Sequence, residues 1–267
     1  MQRLRLALFS LLAIALAAPA GLYLATQGAS ADGHTLEARA GDGEEGYSVD
    51  LFLPENITVT TGTTISWSFP WLEPHSVSFG VPAEGSAEAP SNPGENLIAF
   101  DGETPFSSGL RMAPDGEPFQ VEFTTEGEFD IYCAIHPNMT GTVTVVDPEG
   151  DTEPDTQEDL NGRASTQYSD ALAELQGIAA DESAEDIDVE ELDDGSSRYT
   201  MEVGAESLVG VAMQYFPPSL DIMEGDSVRF LNEGMTPHTA SIGQYPGGDP
   251  FEAPATALDG PGTARAS

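Results

Sequence analysis

The sequence has no lysine. Its eight cations are all arginine, against 46 aspartates and glutamates, giving a formal charge of −38 over 267 residues. That scarcity of positive charge excludes nucleic acid as a partner, because nothing is present to neutralise phosphates. There is one cysteine, which excludes an internal disulfide framework and any metal cluster built on cysteine alone. Apolar residues make up 39% of the chain, below the roughly 45–50% of an average globular protein. Part of the chain is therefore expected to stay unpacked. No Ser-His-Asp set, carboxylate pair or phosphate-cradling loop stands out, so an enzyme is not expected.

Two explanations of the acidity compete. An acidic docking face would suit a cationic partner, whereas acidity throughout would reflect a salt-rich habitat. Lysine is missing from every segment, including those with no evident partner, which favours the second. Self-repulsion at this charge favours solubility and opposes compactness at low salt.

Arg3 and Arg5 precede an apolar run from Leu6 to about Ala18, and small residues follow up to Ala29-Ser30-Ala31. A positive start, an apolar stretch and an A-x-A site make residues 1–31 a signal peptide. Pro19 and Gly21 interrupt the stretch, so cleavage is expected. An uncleaved segment would instead offer membrane association. Either way the rest of the chain is exported, to a periplasmic, cell-surface or extracellular site.

Residues 32–146 read as short alternating strands separated by Gly and Pro, including 47–53, 56–60, 64–69, 119–123, 129–133 and 142–146. That pattern suggests a sandwich or barrel. Residues 80–118 form a long excursion, which Phe100, Phe106, Leu110 and Met112 are expected to pin down. Residues 147–194 hold 18 acids and one arginine and are expected to be a disordered acidic linker. Within it, a short helix could run from Ser169, as N-cap, to Ala180 on Leu172, Leu175 and Ile178. Beyond it lies an internal repeat at an offset of 163, matching Pro54 to Pro217, Gly62 to Gly225, Trp67 to Phe230 and His75 to His238. Residues 195–267 are thus expected to be a truncated second domain, since a counterpart of Cys133 would fall past Ser267.

Cys133-Ala-Ile-His136-Pro-Asn-Met139 ends one strand and leads into the next. His75 ends another strand, and in a sandwich the two ends can meet at one pole. Two imidazoles, a thiolate and a weak thioether form the ligand set of a mononuclear blue copper site. Thiolate and thioether suit Cu(I), and imidazole also suits Cu(II). Zinc and a purely structural cysteine are the competing readings. His238 has no such partners nearby. Cleavage after Ala31 would expose Asp32-Gly33-His34, whose amine, amide nitrogens and imidazole could wrap Cu(II); otherwise His34 merely opens a strand.

Residues 47–146 resemble a cupredoxin of the plastocyanin/azurin/halocyanin type, through Leu53-Pro54, Gly62, the Trp67 strand, His75, Tyr132-Cys133, His136 and Met139. The spacing from His136 to Met139 is shorter than in many plastocyanins. The resemblance implies an all-β fold, a Greek-key sandwich, followed by the acidic linker and a partial second sandwich. It implies one copper held by His75, Cys133, His136 and Met139. It further implies a one-electron carrier between redox protein partners outside the cytoplasm. The alternative is an extracytoplasmic copper storage or delivery protein. Four histidines are too few for an oxidase with several copper centres.

Overall fold

The computed structural model describes residues 34–80 and 97–240. The expected signal peptide and the last part of the second repeat lie outside the described residues. Ten strands build the first part: β1 (Thr35–Glu44), β2 (Tyr47–Leu53), β3 (Asn56–Thr60), β4 (Thr64–Ser68), β5 (Ser78–Phe79), β6 (Leu97–Phe100), β7 (Phe106–Ser107), β8 (Phe119–Phe123), β9 (Gly127–Tyr132) and β10 (Thr140–Val146). β2, β1, β4, β8 and β6 run side by side in one sheet, and β3, β10, β9, β5 and β7 in the other. β1–β4, β3–β10 and β6–β8 are parallel pairs, which in an otherwise antiparallel sandwich require long crossovers.

Alternation along each strand decides which side chains meet between the sheets. Ile57 and Val59 of β3, Ile65 and Trp67 of β4, and Val143 and Val145 of β10 all point into one core. Phe119, Val121 and Phe123 of β8 join them. Phe79 is the hub: the rings of Trp67, Phe100, Phe106 and Phe123 lie within 6.0 Å of its own, centroid to centroid. Phe100 and Phe106 thus pin the excursion as expected. Leu110 and Met112 do not, being 54% and 39% exposed. Between them, Arg111 exchanges two backbone hydrogen bonds with His75, which turns its neighbours outward at the end of the sandwich.

The acidic segment is not a disordered linker throughout. It carries a 28-residue helix, α1 (Gln157–Ala184), and a strand, β11 (Val189–Glu191). The helix begins 12 residues before the expected N-cap Ser169. Thr156 caps it instead, in a reciprocal box with Asp159. Leu160, Ala164, Ala171, Leu175 and Ala179 form its buried stripe, at spacings of four and seven. Three of the five are alanines, so the stripe was invisible as an apolar pattern, yet small enough to sit close on a sheet. Thr156→Ala is expected to cost about 1 kcal/mol, read as a lower denaturant midpoint.

Beyond the helix, β12 (Ser197–Ser207), β13 (Gly210–Phe216) and β14 (Ser227–Leu231) reproduce β1, β2 and β4 residue by residue. Thr35 pairs with Thr64 and Arg198 with Ser227; Ala40 pairs with Phe52 and Val203 with Tyr215. Even the bulge recurs, at 40/42 and at 203/205. The offset is 163 throughout. The two copies join edge to edge. Val49, Ser48 and Tyr47 pair with Gly210, Val211 and Ala212. Shifted by 163, this ladder maps onto itself, so a local two-fold axis passes through the Ser48–Val211 pair. The result is one continuous nine-stranded sheet. α1 lies across the seam: Ala171 and Leu175 pack with Val49, Leu51 and Leu53, and Ala179 with Ala212 and Phe216. No helix among the described residues is long and apolar enough to cross a membrane.

Candidate metal centre

His75 follows β4 and is held by its backbone pairing with Arg111. Cys133 directly follows β9, and His136 sits in the turn before β10. That turn is closed by Cys133 N–H donating to Met139 O at 2.9 Å and Met139 N–H donating to His136 O at 2.9 Å. β5 pairs with β9 through Ser78–Tyr132 and Phe79–Ile131, which brings the His75 segment beside Cys133. Ser76 fastens the two: its N–H donates to Cys133 Sγ at 3.4 Å, and its Oγ accepts from Ala134 N–H at 2.8 Å.

The ligand atoms converge. His75 Nδ1 and His136 Nδ1 are 3.1 Å apart, and Cys133 Sγ is 3.5 Å from His136 Nδ1. All three lie within 4.8 Å of one another. His75 and Cys133 are each 1% exposed and Met139 is fully buried, whereas the His136 side chain keeps 12% exposure. Two imidazole nitrogens and a sulfur in a closed pocket fit a type 1 copper ion by the chemistry of the donors.

Sequence reasoning missed the groups behind the ligands. The His75 ring lies over Gly41, where a Cβ would strike its Nε2 and Cδ2, and Gly41 has φ +73°. Extending the repeat toward the N-terminus would have found it, because Gly204 lies under His238 in the same way. Asp50 Oδ1 stands 3.8 Å from His75 Nε2, and Glu73 Oε1 stands 3.5 Å from His136 Nε2. Burial raises the Asp50 carboxyl above its ordinary value, against the pull of His136 and His75. Of the other candidates, His34 is exposed, and Asp32 and Gly33 lie outside the described residues. His238 is half-buried, with no second imidazole or thiol beside it in any cluster among the described residues. A cleft runs beside the site, with His136, Pro137 and Leu110 on one wall and Glu206, Leu208 and Met235 of the second copy on the other.

Cys133 and His136 shift each other in opposite directions. Burial alone would raise the Cys133 thiol, but hydrogen bonds and charge from His136 and His75 hold it well below its ordinary 9.0. Burial alone would lower His136; hydrogen bonds with Cys133 and Glu73 and the charge of Asp50 raise it from 6.5 to about 10. The raised histidine stabilises the fold below 6.5 and loses that contribution as pH climbs through about 10. The depressed thiol stabilises above 9.0 and loses its contribution as pH falls through its folded value. From the folded value of the Cys133 thiol up to about 10, the folded pair holds one proton, on the His136 imidazole. Cu(II) binding in that window displaces the imidazole proton, so affinity is expected to rise about tenfold per pH unit. Competition against a chelator of known protonation behaviour checks it.

A β-sandwich with a buried His-Cys-His cluster at one pole defines a metal-binding sandwich protein of the blue copper kind. Residues 45–146 match the family model for copper binding proteins of the plastocyanin/azurin family. Plastocyanin of Cucumis sativus is 32% identical over 96 residues, covering 35% of this chain and 86% of that protein. Plastocyanin of Dryopteris crassirhizoma is 28% identical over the same length. Among solved structures, a mutant fern plastocyanin is 24% identical, covering 41% of this chain and 99% of that one, with a TM-score of 0.30. Amicyanin from Paracoccus versutus is 21% identical, covering 45% and 86%, with a TM-score of 0.27. The chain belongs to the plastocyanin/azurin family of copper-binding proteins.

Proposed function

We propose that this chain is an exported type 1 copper protein that carries one electron at a time between redox proteins outside the cytoplasm. His75, Cys133 and His136 would hold the copper, with Met139 as a weak axial donor. The observation that carries this reading is the cluster itself: soft and borderline donors converge in a pocket closed to water except at the edge of His136. Copper supplies a one-electron couple there. Four protein donors leave no open position for a substrate, which favours a carrier over an enzyme. The His136 edge, flanked by exposed Ile135, is the natural point for electrons to enter and leave. Residues 1–31 would direct export, and residues 195–267 would belong to a partial second cupredoxin-like copy.

The test is a visible spectrum of the exported chain loaded with Cu(II), then reduced and reoxidised repeatedly. An intense thiolate-to-copper band that is missing in Cys133→Ser and returns after every cycle is expected. A colourless protein, or one that sheds copper on reduction, would overturn the carrier reading in favour of storage or delivery.

A further inference from the structure

Both histidines of the cluster have two distinct ends. Their Nδ1 atoms face each other and the thiol, 3.1 Å apart. Their Nε2 atoms face carboxylates, Asp50 behind His75 and Glu73 behind His136. Nε2 of His75 is buried and makes no hydrogen bond, so the Asp50 carboxylate 3.8 Å away is the charge it meets. Asp50 is itself an oddity, an acid 8% exposed in the middle of a strand that is buried almost throughout. Burying a carboxylate is costly unless it is paired or hydrogen-bonded. Ser48 Oγ donates to it at 3.1 Å. Its backbone N–H donates to Val209 O, in the second copy, at 2.8 Å. Ser48, which steadies its side chain, is the residue on the local two-fold axis, paired with Val211. The strand that carries Asp50 is therefore fixed from the far side of the seam.

We propose that Asp50 and Glu73 are positioning residues for the two copper histidines, that their charge favours the oxidised metal, and that the second copy sets Asp50 through the β2–β13 seam. This rests on the copper reading above. A negative charge facing Nε2 of an imidazole favours the tautomer that carries its proton there and leaves Nδ1 free for the metal. A negative charge in a site poor in water stabilises a dication over a monocation far more than the same charge in solvent does. Glu73 is more exposed than Asp50, at 18% against 11% of the side chain, so its effect is the smaller and the more sensitive to salt.

The test uses the full exported chain and spectroelectrochemistry, reading the ratio of oxidised to reduced copper at a fixed potential. Asp50→Asn keeps the shape and removes the charge. It is expected to shift the ratio about tenfold toward the reduced form, which is ~59 mV for one electron, and the shift should survive molar salt. Glu73→Gln should move it the same way by less, and mostly at low salt. Asp130→Asn, an exposed acid on β9, serves as the control for the general field of the acidic surface. Asp50→Glu should restore part of the wild-type ratio. Gly210→Val tests the seam, since a side chain there runs into the Ser48 carbonyl. It touches no ligand, yet it should shift the ratio in the direction of Asp50→Asn. A blue wild type whose ratio is unmoved by Asp50→Asn overturns the proposal, as does a shift that salt abolishes as fully as that of Asp130→Asn. An unmoved ratio in Gly210→Val overturns the role of the second copy. A colourless wild type would instead count against the copper reading itself.

Discussion

Gly41→Ala is expected to remove the copper site while leaving the sandwich folded. The His75 ring occupies the space where a Cβ on residue 41 would stand. His75 is 1% exposed and tied by two backbone hydrogen bonds to Arg111, so the ring has nowhere to retreat that keeps Nδ1 beside Cys133. The positive φ of +73° adds backbone strain for any side chain. We expect Cu(II) affinity to fall about 100-fold or more and the blue band to disappear, both measured by titration. Gly204→Ala, which crowds His238 in the same way, should leave copper affinity unchanged and serves as the matched control. A Gly41→Ala protein that binds copper like the wild type would contradict the placement of His75.

The largest loss of stability is expected from Phe79→Ala, about 3–5 kcal/mol. Phe79 is fully buried and its ring touches four others, so truncation leaves a cavity lined by rigid rings that cannot collapse into it. The strand it sits on also pairs with β9 just before Cys133. Copper affinity should therefore weaken along with the fold. Urea unfolding should show a lower midpoint with an unchanged slope; a loss below about 1 kcal/mol would mean the core repacks freely.

What could be read in the sequence was whatever is repeated or periodic. The alternation of Phe119, Val121 and Phe123 marks a strand facing a core. The run from Cys133 to Met139 compresses a ligand set into seven residues, and His75 stands out because histidine is rare here. The helix could not be read the same way, because its buried face is mostly alanine and its exposed face shares the acidity of the whole chain. Nor could Asp50 and Glu73, since one acid among 46 is marked only by what it lies against. Leu110 and Met112 show the converse: apolar residues are not pulled inward when the backbone between them is committed to hydrogen bonds with His75.

The seam between β2 and β13 is a ladder only three residue pairs long. Between two separate chains, a contact that short would be at the mercy of dilution, forming only when the molecules were concentrated. Here α1 ties the two edges into one chain, and their effective concentration no longer depends on how much protein is present. An unpaired edge of β2 would also be a template for sticking to other molecules. The covalent partner occupies it permanently, so the surroundings of Asp50 are the same in a scarce protein as in an abundant one.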